Sequence, residues 1–277
     1  MDDIIKNFER DIIKKYRSKL WAKTVKAVQE FNLINEGDKV LVAISGKDSV
    51  IMAKLLQELD RHGDFHFDME FIAMDPGYRK ETRDKIVETC KKLGIPVKML
   101  KSDVFEVADL ITEKNPCYMC ARMRRGFLYT KAREYGCNKL ALGHHYDDVI
   151  ETTLLNMLYA GSFKTMVPKL RSKNFSGIEL IRPLYFVREA DVIRIMNNYD
   201  INLNILGCEL QEKKKSSSKR EYVKGLIKSL KEENEFIDKN IFRSLSNVNV
   251  TQILAYADDE NEYDFNKIYE RGEKTDV

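Results

Sequence analysis

Four short apolar runs, each leading into a helical pattern, restrict what this chain can fold into more than any other feature. KVLVAI (39–44) is a β-branched strand-like run that passes through a tight turn into the amphipathic SVIMAKLLQEL. DMEFIAM precedes a helical stretch over 78–93, and IPVKMLK and NKLALG repeat the alternation further on. Strand–helix units in series build a parallel, doubly wound α/β sheet, whose ligands bind at the carboxyl ends of the strands. Around this core, Phe8, Ile12, Tyr16, Leu20, Val25, Val28 and Phe31 recur at helical spacing, which predicts one N-terminal helix over 3–33. Residues 162–187, with Pro168, Pro183 and the apolar IELIRPLYF, read as loop plus strand lining the site, and READVIRIMNNY reads as the helix that follows. The basic QEKKKSSSKR has no core pattern and leads into a helix over YVKGLIKSLKEEN, and the closing ADDENEYDFNKIYERGEKTDV is too polar to pack. The expected division is an N-terminal helix over 1–35, a nucleotide-binding catalytic domain over 36–205, a loop and helices over 206–256, and a polar tail over 257–277.

The loop after the first strand is SGKDS (45–49). There, backbone N–H groups and the helix dipole can receive an anion. Gly46 permits a turn, Lys47 adds positive charge, and Ser45 and Ser49 add hydroxyls. Serine, glycine and aspartate also serve as plain turn and capping residues. The strand before and the helix after favour a phosphate cradle, though not the longer Walker loop. A second strand–glycine–helix junction, LALGHHYDDVIETTLLNMLYAG, carries Gly143, His144, His145, Asp147, Asp148 and Glu151. Acidic residues at a helix start can simply cap it and offset its dipole; the sharper reading is magnesium and nucleotide handling.

Composition sets limits rather than functions. Net charge is +3, from 47 basic and 44 acidic residues, which does not by itself imply a nucleic-acid partner. No apolar run approaches the roughly 20 residues that span a bilayer, so a cytoplasmic location and no membrane partner are expected. Five cysteines, at 90, 117, 120, 137 and 208, are an odd number, and a disulfide framework is not expected. The Cys117–Cys120 pair fits a redox couple, a zinc half-site or an iron–sulfur half-site.

PCYMCARMRRGFLY, GHHYDDVIETTLLNMLYAG and IRPLYFVREADV, in that order behind FNLINEGDKVLVAISGKDS, resemble the tRNA 2-thiocytidine synthetase family, the TtcA-type sulfurtransferases of the PP-loop ATP pyrophosphatase superfamily. The likeness covers roughly residues 23–232, and SGKDS departs from the usual SGGxDS by one glycine. The resemblance implies an adenine-nucleotide α-hydrolase fold and an enzyme that uses ATP, Mg²⁺ and a [4Fe–4S] cluster. Such an enzyme adenylates the C2 oxygen of an anticodon-loop cytidine, at position 32, and replaces that oxygen with sulfur. By motif position, Ser45, Gly46, Lys47, Asp48 and Ser49 would hold the phosphates, with Gly143 beside them. Asp75 would meet adenosine, and Asp48, Asp147, Asp148 and Arg124 would be catalytic. Arg122, Arg125, Lys164, Lys169 and the tract reaching Lys219 and Arg220 would contact RNA phosphates.

Within that resemblance the cysteine pair is expected to bind iron with Cys208. A structural zinc site wants four ligands, and no second CxxC exists. Cys208 lies in the loop-like ILGCELQ, whereas Cys90 and Cys137 read as packing residues. Three thiolates leave one iron open for the sulfide to be delivered. The implied partners are tRNA through its anticodon loop, a sulfur donor such as a cysteine desulfurase, and a second copy of the chain in a homodimer. Two rivals stand beside this reading: a lysidine-synthetase-like ATP-dependent tRNA ligase without a cluster, and a zinc-containing RNA-binding module.

Overall fold

A computed structural model describes residues 2–102, 104, 116–201, 203, 219–258 and 260–272, with backbone alone at 2, 116–118, 121, 271 and 272. The elements in chain order are α1 (Asp2–Ile13), a π-helical turn (Arg17–Trp21), α2 (Ala22–Glu30), β1 (Lys39–Ile44), α3 (Lys47–His62), β2 (Asp68–Asp75), α4 (Lys80–Lys92) and β3 (Lys98–Lys101). There follow α5 (Pro116–Glu134), β4 (Lys139–Ala141), α6 (Tyr146–Ala160), β5 (Lys169–Arg171), β6 (Glu179–Ile181), α7 (Glu189–Asn198) and α8 (Lys219–Glu233). Contacts between Cα atoms separate two compact units, Met1–Tyr222 and Val223–Val277.

The first unit holds a six-stranded sheet in the order β3-β2-β1-β4-β6-β5. All neighbours pair in parallel except β5, which runs antiparallel to β6 at the edge. The four expected strands are present, and the parallel doubly wound architecture holds with that one antiparallel addition. Burial on both faces explains why β1 reads as a continuous apolar run. Leu41 and Ala43 pack in a cluster with Leu128, Tyr129 and Ala132 of α5, and the alternate residues Val40, Val42 and Ile44 are buried on the opposite face. The chain leaves β1 toward β2 and β3 on one side and returns to β4 on the other. The carboxyl ends of β1 and β4 therefore form the topological switch point, where such sheets bind ligands.

The N-terminal segment departs from the single helix expected over 3–33. Phe8, Ile12, Tyr16 and Leu20 are all buried but recur every four residues, and that spacing drifts about 40° per step around an α-helix. The wide π turn at Arg17–Trp21, entered through the Tyr16 N–H bond to the Asp11 carbonyl at 2.8 Å, takes up the drift and divides the segment.

The second unit begins at Val223, within α8, and continues into α9 (Ile237–Ser244), a 3₁₀ turn (Val250–Gln252), the antiparallel hairpin β7 (Ala255–Ala257) and β8 (Glu262–Asp264), and α10 (Phe265–Gly272). The sequence expectation here was a tail too polar to pack. Tyr256 stacks on Tyr263 with ring centroids 4.6 Å apart, and Ile268 is buried. Isolated aromatic and aliphatic residues between charges form this structure, and average polarity conceals them. Among the described residues no helix is long and apolar enough to cross a membrane.

Candidate active site

Two strand–helix junctions meet at the switch point. At the first, the Ser49 hydroxyl accepts hydrogen bonds from the Ser45 and Gly46 N–H groups, at 2.8 and 2.9 Å, and donates to the Gly46 carbonyl at 2.7 Å. Ser49 thus closes the loop, while α3 begins at Lys47 with its first N–H groups directed out of the helix end. Gly46 has φ 177°, an extended conformation open to any residue, and a Cβ there would meet nothing within 4 Å. The backbone turn does not require this glycine. What it leaves is open space against the loop, the space a phosphate group needs to approach the main chain.

Lys47 lies between two carboxylates, with its Nζ 3.1 Å from Asp48 and 3.0 Å from Glu189 at the start of α7. Burial alone would lower its pKa, but the two carboxylates outweigh it and the ammonium is held above its ordinary value. Asp48 is the reverse case. Burial raises its pKa despite the opposing pull of His145 and Lys47, and its buried Oδ1 has no hydrogen-bond partner. A carboxylate oxygen buried and unsatisfied at an anion-receiving helix start suits a divalent cation arriving with phosphates, since Mg²⁺ takes one or two protein carboxylates and completes its shell with water and phosphate oxygens.

The second junction comes close to the first. A Cβ on Gly143 would lie 2.8 Å from the Ser49 nitrogen and 3.0 Å from its Cα, so only glycine lets the two loops approach this far. His145 caps α6: its Nδ1 accepts from the Asp148 N–H at 3.3 Å, and its own N–H donates to Asp148 Oδ2 at 2.9 Å. The other Asp148 oxygen receives Arg220 at 2.8 Å, and the same guanidinium reaches Glu151 at 2.8 Å. Asp147 turns the other way, accepting from the first N–H of α7 at 2.7 Å and from Arg188 at 3.3 Å. Both aspartates therefore cap helices and hold cations, and they do so toward different elements.

Asp75 ends β2 almost fully buried. Its Oδ1 accepts from the Gly77 and Tyr78 N–H groups at 3.0 and 2.7 Å, and its Oδ2 pairs with Arg83 at 3.2 Å. It shapes the loop at this end of the sheet, and Tyr78 on that loop receives Arg124 of α5 at 3.4 Å. Cys117 and Cys120 lie one turn apart on α5, and Cys120 is half-buried. Cys208 lies outside the described residues. Cys90 and Cys137 are buried, with their thiols pushed up to about 12 and about 11 by burial, which keeps them protonated.

The expected RNA contacts are dispersed. Arg122, Arg125 and Lys164 are exposed. Lys169 donates to the Asn32 carbonyl at 3.1 Å, and Lys219 stands 4.6 Å over the Tyr159 ring. Arg220 is tied to Asp148 and Glu151. Sequence reasoning did not single out Arg182, Arg188 or Glu189. The last two open the READV helix, and the acid following a basic residue at that helix start was the available signal.

A PP-loop domain model matches residues 17–204. A tRNA-cytidine(32) 2-sulfurtransferase from Citrifermentans bemidjiense is 40% identical over 242 residues, covering 83% of this chain and 90% of that protein. One from Anaeromyxobacter dehalogenans is 36% identical over 245 residues, covering 87% and 83%. Among solved structures, a U34-tRNA thiolase from Methanococcus maripaludis with its [4Fe–4S] cluster superposes with a TM-score of 0.61 at 23% identity, covering 91% of this chain and 84% of that one.

Proposed function

The chain belongs to the PP-loop family and, within it, to the tRNA-cytidine(32) 2-sulfurtransferases, and from that premise we propose that it is an ATP-dependent thiolase of tRNA that replaces the C2 oxygen of cytidine 32 with sulfur. A urea-type carbonyl oxygen is a poor leaving group. In the first step O2 attacks the α-phosphorus of ATP and pyrophosphate departs. In the second, sulfide-level sulfur attacks C2, the C2–O bond breaks and AMP departs with the former O2.

The observation that carries this reading is the junction of α3 and α6. There Gly46 leaves open space against the loop, α3 starts at Lys47, and the buried Asp48 Oδ1 has no hydrogen-bond partner. Ser45, Gly46, Lys47 and Ser49 would position the β- and γ-phosphates, and Asp48 would hold Mg²⁺, which neutralises the departing pyrophosphate. Gly143 keeps the second loop against the first. Asp75 would set the loop that borders adenosine. Asp147 and Asp148 fix the helix starts around the phosphates, and Arg124 would reach the nucleotide from the cysteine-bearing helix.

Cys117, Cys120 and Cys208 would hold a [4Fe–4S] cluster, and the buried, protonated Cys90 and Cys137 do not suit that role. When bound, the cluster supplies the sulfur-handling chemistry. Arg122, Arg125, Lys164, Lys169 and Lys219 would contact phosphates of the anticodon arm, while Arg220 orders the acidic helix start. The further partners are a sulfur donor, such as a cysteine desulfurase, and a second copy in a homodimer, which light scattering of the purified protein checks.

The test is anaerobic reconstitution followed by assays for pyrophosphate and for 2-thiocytidine in tRNA. Both products are expected, together with loss of iron and of thiolation in Cys→Ala variants at 117, 120 and 208 but not at 90 or 137. Pyrophosphate without sulfur incorporation would indicate the ligase alternative. Stoichiometric zinc without iron would overturn the cluster.

A further inference from the structure

Arg182 follows the last residue of β6 and is only 7% exposed. Its backbone N–H donates to the Pro168 carbonyl at 3.0 Å and one terminal guanidinium nitrogen donates to the Val167 carbonyl, but its buried Nε has no hydrogen-bond partner. No carboxylate among the described residues forms an ion pair with it. A charge so placed is expensive to bury, and burial pushes its pKa down to about 10. Native structures rarely leave such a group unmatched unless something else comes to match it.

A second unsatisfied atom lies in the same neighbourhood. His144, in the loop between β4 and α6, has a buried Nδ1 without a hydrogen-bond partner. Its pKa is pushed down to about 4, by burial first, and the charge of Arg182 adds to that shift. The ring is neutral at physiological pH, so in the Nε2–H tautomer its Nδ1 is an acceptor. The two side chains stand at adjacent strand ends, because the Leu142 N–H donates to the Ile181 carbonyl at 3.0 Å. Arg125 and Tyr129 of α5 are electrostatic neighbours of Arg182. A ligand meeting both unsatisfied atoms would thus lie beside the loop that Gly143 brings against Ser49 and beside the helix that carries Cys117 and Cys120.

We propose that Arg182 and His144 form the subsite that reads the Watson–Crick edge of the target cytosine, the guanidinium donating to O2 and N3 and the imidazole Nδ1 accepting from the N4 amino group. This assignment rests on the thiolase reading above and adds the means by which the site selects its base. Cytosine presents one donor and two acceptors along that edge, which one neutral imidazole and one guanidinium complement. Uracil presents an acceptor where cytosine has its amino group and a donor at N3. Its O4 would face the imidazole lone pair, and its N3–H would face the guanidinium. Rejection is strong when a mismatched ligand leaves buried polar groups unpaired.

The experiment uses the reconstituted full-length protein and two anticodon stem–loop RNAs that differ only in carrying C or U at position 32. Binding is read by fluorescence anisotropy and adenylation by pyrophosphate release. The wild type is expected to favour the C-containing RNA by about tenfold or more. His144→Ala should bring that ratio to within about twofold while Tm and ATP affinity stay unchanged. Arg182→Lys should weaken binding of the C-containing RNA by about tenfold and lower the same ratio. A folded His144→Ala protein that keeps the wild-type ratio overturns the subsite. So does an Arg182→Lys protein that loses ATP affinity with its base preference intact, which would mark a phosphate site instead. If Arg182→Lys does not fold, the His144 variant decides alone. A wild type that releases pyrophosphate with neither RNA overturns the thiolase reading and the subsite together; normal release with no base preference overturns the subsite only.

Discussion

Asp48 shows how one residue can serve function at the expense of stability. Its folded-state pKa is raised by burial, so folding favours its neutral form relative to the unfolded chain. The stability it contributes is full below the pKa of the unfolded chain and is lost as pH rises through the raised folded value. Asp48→Asn should therefore raise Tm at pH 7 and flatten that part of the stability profile, while ATP-dependent pyrophosphate release falls by at least about 100-fold. Thermal melts from pH 4 to 8 and a pyrophosphate assay check both halves; a variant that releases pyrophosphate normally would remove Asp48 from the phosphate site. Cys90 and Cys137, pushed up to about 12 and about 11, should resist iodoacetamide at pH 8 in the native protein and react only on unfolding, as mass spectrometry of the alkylated chain would record. The positions of SGKDS, the paired histidines and the acidic helix start at strand–helix junctions were legible in the sequence, because each is a short local pattern. Arg182 was not, and for Arg188 and Glu189 only the helix start was signalled, because the partners of all three are distant in the chain. The Asp147 bond to the Glu189 N–H spans 42 residues, and nothing local to either residue announces it.

Among elements, the informative contact is between the starts of α3 and α6. Gly143→Ala would place a methyl group 2.8 Å from a backbone nitrogen, which cannot swing aside as a flexible side chain would. It should destabilise the fold by about 1–3 kcal/mol and weaken ATP binding, as denaturant titration and calorimetry would measure. Asp147→Ala and Asp148→Ala should also differ. The first removes an acceptor from the start of α7 and the second breaks the capping box of α6 and frees Arg220, so equal and mild losses of activity would count against the divergent roles described. Element type was readable wherever period and flanking turns agreed, which covers β1 to β4, four of the five strands that pair in parallel, and the helices after them. The N-terminal helix was misjudged because a four-residue repeat looks helical over any short window, and only its accumulated drift reveals the π turn. The hairpin β7–β8 was missed because its two tyrosines sit among charges.

For the whole molecule, a net charge of +3 says little about RNA, but the placement of the cations says more. Lys164 is exposed next to the exposed Phe163, and no carboxylate among the described residues forms an ion pair with it. Lys164→Ala should weaken tRNA binding equally for all sequences and reduce the slope of log K against log salt by about 1, as anisotropy titrations at several salt concentrations would show. The N-terminal arm has a role of its own at this scale. Glu9 on α1 receives Lys54 at 2.6 Å and Arg61 at 3.1 Å from α3, while Asp11 receives Tyr199 at 3.0 Å from the end of α7. One short helix thus grips, away from the phosphate loop, the two helices whose opposite ends meet at Lys47. Nucleotide binding should be felt along those shafts as a tightening of their common anchor: the amides of α1 should take up deuterium more slowly when ATP is present, and Glu9→Gln should release that distant protection while the loop still fills.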